Sequence, residues 1–178
     1  MNRRDQHWMI ITAFAFAAIL ITMICTSARS ARTDMSIILA RSCVGEAGWN
    51  AVETGECASI WHIYLKRSRI GGLTLRRATH VYSAALKSHS THRRPWLMQL
   101  SRDGLRPKEW PSRASWKVYR DRWMLTVAEA DRFVAKQLDD PTPDALHFGG
   151  WLDRHRLDKK VWEPYRPGGY RNTLYRRR

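Results

Sequence analysis

The stretch Leu39-Ala40-Arg41-Ser42-Cys43-Val44-Gly45-Glu46-Ala47-Gly48-Trp49 decides how this chain is read. From Cys43 to Trp49 every residue except Glu46 is apolar or glycine. Met35, Ile38, Leu39, Ser42, Cys43 and Glu46 recur at helical spacing and share one face. Asp34 is placed to cap the helix that carries them, and Gly45 and Gly48 are expected to end it. Glu46 then sits on the core-facing side near a helix C-terminus, where it cannot simply swing into water. Withdrawal from water favours the neutral acid form of a carboxyl. A proton-bearing carboxyl beside a tryptophan is what a general acid for glycoside cleavage needs. Glu46 is therefore the candidate catalytic residue.

Working outward, a second helix is expected from about Val52 to Arg69, with Cys57, Ile60, Trp61, Tyr64 and Leu65 as its buried stripe. Thr74 is the expected N-cap of a third, with Leu75, Ala78, Tyr82 and Leu86 inward. Residues 87–111 mix Ser, His, Arg, Pro and Gly with little periodicity, so they read as a long loop. Ser112 should cap a fourth helix bearing Trp116, Tyr119 and Trp123. Thr126-Val127-Ala128-Glu129 has the form of a capping box opening a fifth, which Pro141 ends. Ala145-Leu146-His147-Phe148 is short, apolar and bounded by turn residues, and is the one strand candidate.

Toward the N-terminus the chain changes character. Trp8 to Cys25 is an uncharged, mostly apolar run, close to the ~20 residues that cross a bilayer as a helix. Arg3 and Arg4 precede it, which keeps the basic N-terminus, residues 1–7, in the cytoplasm. Residues 8–25 thus read as a transmembrane signal anchor or a signal peptide, and residues 26–33 as a linker. Both readings export the remainder, residues 34–178, which is the length of one domain. The domain would face the periplasm from the inner membrane, or be released after cleavage. In an oxidising compartment Cys43 and Cys57 could form a disulfide, or remain two small buried thiols.

The 31 Lys and Arg against 16 Asp and Glu give a net charge of +15. A charge this large implies a polyanionic partner or surface. Export makes anionic envelope polymers or lipid headgroups the expected partners, and no nucleic acid is expected. The stretch 154–178 interleaves Lys and Arg with Trp162, Tyr165, Tyr170 and Tyr175, and reads as a basic aromatic tail able to flank a substrate groove. No glycine-rich phosphate loop or Cys/His metal spacing occurs, so neither cofactor nor metal is implied.

Two stretches resemble a known family. Ile38-Leu39-Ala40-Arg41-Ser42-Cys43-Val44-Gly45-Glu46-Ala47, followed by the apolar helix Cys57–Lys66, is similar to the opening of cell wall hydrolases of the spore-cortex-lytic-enzyme type. Asp140-Pro141-Thr142-Pro143-Asp144-Ala145-Leu146-His147-Phe148 resembles that family's Asp-Pro-Thr segment, and Gly169 to Tyr175 sits where such domains finish. Gly48-Trp49-Asn50 stands where the family usually carries a second acidic residue. The resemblance implies a mainly α, lysozyme-like α+β fold and cleavage of the glycan strand of peptidoglycan, as a lytic transglycosylase or muramidase. It maps the family's single catalytic acid onto Glu46.

A lytic transglycosylase needs one acid, because the substrate's acetamido group and 6-hydroxyl can complete the reaction. A hydrolase normally needs a second carboxylate. Glu53, Glu56 and Asp144 are the acids expected near the same region, and none sits in an apolar pocket by sequence. Trp49, Trp96, His147, Trp151, Tyr170 and Asn172 are the candidate substrate-binding residues. The competing reading is a non-catalytic envelope-binding membrane protein that uses the basic aromatic tail.

Overall fold

The computed structural model describes residues 34–149, 157–158 and 161–178. The expected membrane segment at 8–25 and Trp151 lie outside the described residues. Among the described residues no helix is long and apolar enough to cross a membrane. Residues 35–178 form one compact unit, mainly helical with a small sheet.

Helix α1 spans residues 34–47 and α2 spans Glu56–Ile70. They meet through the Cys43–Cys57 disulfide, with Cα atoms 5.3 Å apart. Closing a loop of 14 residues adds about 3 kcal/mol in the chain-entropy account. Helix α2 is the centre of the fold, packing against the third helix, the long sixth helix and the first strand. Ile60, Trp61, Ile63 and Tyr64 have no exposed surface, so α2 is buried nearly all round. Its start differs from the sequence reading. Residues 48–55 form turns, with left-handed backbone at Gly48 (φ 89°) and Gly55 (φ 76°). Gly48 ends α1 as expected, its N–H donating to Val44 O at 3.1 Å. Gly45 does not end it and lies within the helix.

Helix α3, Leu75–Tyr82, starts where Thr74 predicts, the threonine oxygen accepting from Arg77 N. The expected long loop instead contains α4, Ser88–Arg93, and α5, Pro95–Gln99. Leu97 and Leu100 are buried, and burial of these two apolar side chains folds a segment that has no helical period of its own. Arg41 in α1 ties its end down, with Nε and Nη2 donating to Leu100 O at 3.0 and 2.7 Å.

Helix α6 runs unbroken over Arg113–Val134, capped by Ser112. The two helices expected there are one. Thr126 does not cap, and its hydroxyl donates back to Arg122 O at 2.8 Å inside the helix. Trp116, Trp123, Val127 and Ala130 continue a single buried stripe with no Gly or Pro to interrupt it.

The sheet has strands β1 (Ala145–Gly149), β2 (Trp162–Tyr165) and β3 (Thr173–Arg177) in the order β1-β3-β2, both pairs antiparallel. Only β1 was expected. Phe148 pairs with Leu174 and sets its ring edge-on to Tyr64 of α2, 5.6 Å between centroids. Within the described part of the stretch read as a basic tail, Trp162–Tyr165 and Thr173–Arg177 are therefore strands. Tyr170 and Tyr175 are buried, and Arg176 pairs with Glu163 at 2.9 Å.

Candidate functional site

Glu46 lies in the last turn of α1, half-buried. Its surroundings are less apolar than the sequence suggests. Oε1 accepts from Ser83 Oγ at 2.8 Å and from the backbone N–H of Ala85 at 2.7 Å. Among the described residues no donor reaches Oε2. The carboxyl lines a cleft of about 210 Å3, together with Ala85, Arg93, Arg94 and Leu97.

Gly45 makes this geometry possible. A Cβ on it would collide with Ala85 Cβ and stand 3.0 Å from Leu97 Cδ2. The missing side chain lets the segment after α3 press against α1, close enough for Ala85 N to reach the carboxylate. This is a close-approach glycine.

Behind Ser83 sits the Tyr64 hydroxyl, fully buried. Burial holds this phenol well above the ordinary tyrosine range, and the nearby Glu46 charge pushes it the same way, against smaller opposing pulls from Ser83 and Ser42. Tyr64 is therefore a neutral wall behind the acid.

A second feature fixes the acid from the sheet side. Glu56, in the first turn of α2 and 1 % exposed, accepts three hydrogen bonds. Its Oε1 takes Asn172 N at 2.7 Å and Asn172 Nδ2 at 2.8 Å, and its Oε2 takes Arg171 N at 2.8 Å. Asn172 Nδ2 also lies 3.4 Å from Glu46 O. A carboxylate at a helix N-terminus is favoured by the helix dipole. Glu56 thus anchors the turn before β3 to α1 and α2, and both its oxygens are engaged in doing so.

The candidate sugar-contact residues separate into three groups. Trp49 and Trp96 come together, ring centroids 5.8 Å apart and stacked, within a cluster that includes Trp110, Trp116 and Tyr119. Trp49 and Tyr119 line a second groove of about 450 Å3 beside the end of α1, with Arg122 and Arg171. Tyr170 and Asn172 are buried anchors, Tyr170 exchanging a 2.9 Å hydrogen bond with Ser59 Oγ. His147 lies on the sheet among Trp162 and Tyr175 and belongs to neither lining.

Of the other acids, Glu53 pairs with Arg122 at 3.4 Å and Asp144 is exposed on the loop before β1. Glu46 is the one carboxylate lining its cleft among the described residues. The described residues hold no cluster able to bind a metal ion. Sequence reasoning missed Ser83, Ala85, Arg93 and Arg94. Ser83 and Ala85 reach Glu46 and the two arginines reach its cleft through tertiary packing, and only the Gly45 gap hinted at a close neighbour.

No family model matches the chain, and no curated protein or solved structure matches it.

Proposed function

We propose that this protein cleaves the glycan strand of peptidoglycan with Glu46 as its single general acid. The observation that carries the reading is the asymmetry of the Glu46 carboxyl. Oε1 is held by two donors, while Oε2 has none among the described residues and the side chain borders an open cleft. In the acid form the transferable proton is then confined to Oε2. A fixed carboxyl with one defined proton position suits general-acid catalysis, which contributes about 10²–10⁴-fold.

The step balances without a second carboxylate. Glu46 gives its proton to the glycosidic oxygen as the bond to the anomeric carbon breaks, and the acetamido oxygen closes on that carbon. The 6-hydroxyl oxygen then displaces the acetamido oxygen, and its proton returns to Glu46. The product is an anhydro end. The engagement of both Glu56 oxygens and the pairing of Glu53 with Arg122 favour this one-acid course over hydrolysis.

The lysozyme-like reading of the fold draws support from an acid at the end of a buried helix beside a small antiparallel sheet. Export through residues 8–25, and attraction to anionic envelope polymers through the +15 charge, belong to the same proposal. Incubating the full chain with purified cell wall tests it. Release of soluble glycan fragments is expected. Binding without release would favour the envelope-binding alternative instead.

A further inference from the structure

We propose that Arg93 and Arg94 make the Glu46 cleft selective for glycan strands that carry a free carboxylate beside the bond to be cut, an inference that rests on the glycan-cleaving reading. The two arginines stand where α4 ends and α5 begins, and both line the cleft with Glu46. Arg94 is placed by the chain around it. Its backbone N–H donates to Ser90 O at 3.1 Å, and Pro95 follows at the first turn of α5. Its Nη1 donates to Gly45 O at 3.2 Å. That carbonyl belongs to the last turn of α1, whose partial negative charge favours a cation. One guanidinium is thereby held beside the residue preceding the acid.

Neither arginine has a carboxylate partner among the described residues. The remaining lining is apolar or small, from Ala84, Ala85, Ser90 and Leu97. When Glu46 acts as an acid it is neutral, so the reacting cleft carries two guanidiniums and no opposing charge. Paired guanidiniums match a carboxylate through forked donors. An apolar floor with a cationic lip fits a sugar ring with an acidic substituent better than a neutral sugar. That carboxylate has two sources in cell wall. One is the lactyl group on strands freed of peptide, and the other is the stem peptide's own free carboxylates.

The test uses the full chain and two matched substrate pairs. One pair is peptide-free strands with the lactyl carboxylate free or methylamidated. The other is peptide-bearing strands with stem carboxylates free or methylamidated. Wild type should prefer the free acid in one pair by about tenfold or more in kcat/KM, as loss of a charge-assisted pair implies. The pair that shows it identifies the source. In Arg93→Gln/Arg94→Gln that preference should fall toward one, mainly through KM. A wild-type preference near one in both pairs, or a preference that survives the double substitution, overturns the proposal. If the double variant fails to fold, Arg93→Gln alone serves, since its side chain makes no hydrogen bond within the described residues; there the preference should drop severalfold, and an unchanged preference counts against the proposal. If wild type cuts no strand at all, the glycan-cleaving reading fails, and calorimetric binding of the same strands decides the arginines' part. Weaker binding of free-acid strands by the double variant supports it, and equal binding by both proteins overturns it.

Discussion

At the scale of single residues, Gly45 is the most exacting position. Alanine is the better helix former by about 0.5–1 kcal/mol. Overpacking a tight contact costs about 1–3 kcal/mol, and the Ala85 backbone sits directly behind the collision. The steric term wins, so Gly45→Ala should lower the melting temperature and loosen the Ala85 N–H from Glu46. Adding Ala85→Gly removes the opposing Cβ and should restore both stability and activity. Failure of that second substitution to rescue would mean the close approach does not set the acid's geometry. Tyr64 gives a pH signature. Its folded-state value is raised above the ordinary 10.0. The neutral phenol's contribution is therefore complete below about pH 10 and is lost as pH rises beyond it. Tyr64→Phe should keep more of its stability above pH 10 than wild type, measured by thermal unfolding across alkaline buffers. Parallel losses in both proteins would show that this phenol is not the group responsible.

Among the elements, α2 and the loop before β1 are joined through one ammonium. Lys66 Nζ donates to Thr142 O, Pro143 O and Ala145 O at 3.0, 2.7 and 3.0 Å, and pairs with Asp140 Oδ2 at 2.6 Å. Replacing it with Met leaves those acceptors and a half-buried carboxylate without their cation, at a cost of about 2–4 kcal/mol. Asp140→Asn combined with Lys66→Met should lose less than the sum of the two single changes. Strict additivity would deny the pairing. The same loop shows what the sequence made legible. Asp140-Pro141-Thr142 and the strand after it stood out by turn residues and an apolar run. The third-helix cap at Thr74 and the α6 cap at Ser112 were equally plain, because capping is local. The joined α6 was not, since Thr126-Val127-Ala128-Glu129 satisfies a capping pattern and only the packing of Trp123 and Val127 overrides it. Strands β2 and β3 were hidden for a related reason. Glu163-Pro164-Tyr165 and Thr173 to Arg177 are too charged to announce a strand, and although β2 and β3 pair as near neighbours, the β1 strand that completes their sheet lies well back in sequence.

For the molecule as a whole, charge and cross-linking set the response to acid. Asp131 is held below the usual carboxylate range first by its hydrogen bonds from Arg102, at 2.7 Å on both oxygens. Its contribution is present above the ordinary carboxyl range and disappears as pH falls through the lowered value. The pair is about two-fifths exposed, so screening keeps the contribution modest. Protonating acids also increases the self-repulsion of a chain that already carries +15. Stability should therefore decline below about pH 4 and do so more steeply at low salt. A salt-independent acid transition would contradict the electrostatic account. The disulfide, by contrast, is shielded, with Cys43 and Cys57 0 % and 1 % exposed. Reducing it should need prior loosening of α1 from α2.

The site was half legible. Glu46 announced itself as the one acid in an apolar stretch, and Cys43 and Cys57 as a possible pair. Its working partners did not, because Ser83, Ala85, Arg93 and Arg94 carry no mutual spacing and meet only after α3 to α5 fold against α1. Glu46 is proposed to transfer the proton that breaks the glycan strand. Mass spectrometry of cell wall digested by the full chain and by Glu46→Gln tests that transfer. Glutamine keeps the size and the contacts of Oε1 but has no proton to transfer. Wild type should yield anhydro-ended fragments and Glu46→Gln none, at an unchanged melting temperature. Equal fragment release by a folded Glu46→Gln protein would contradict that role for Glu46.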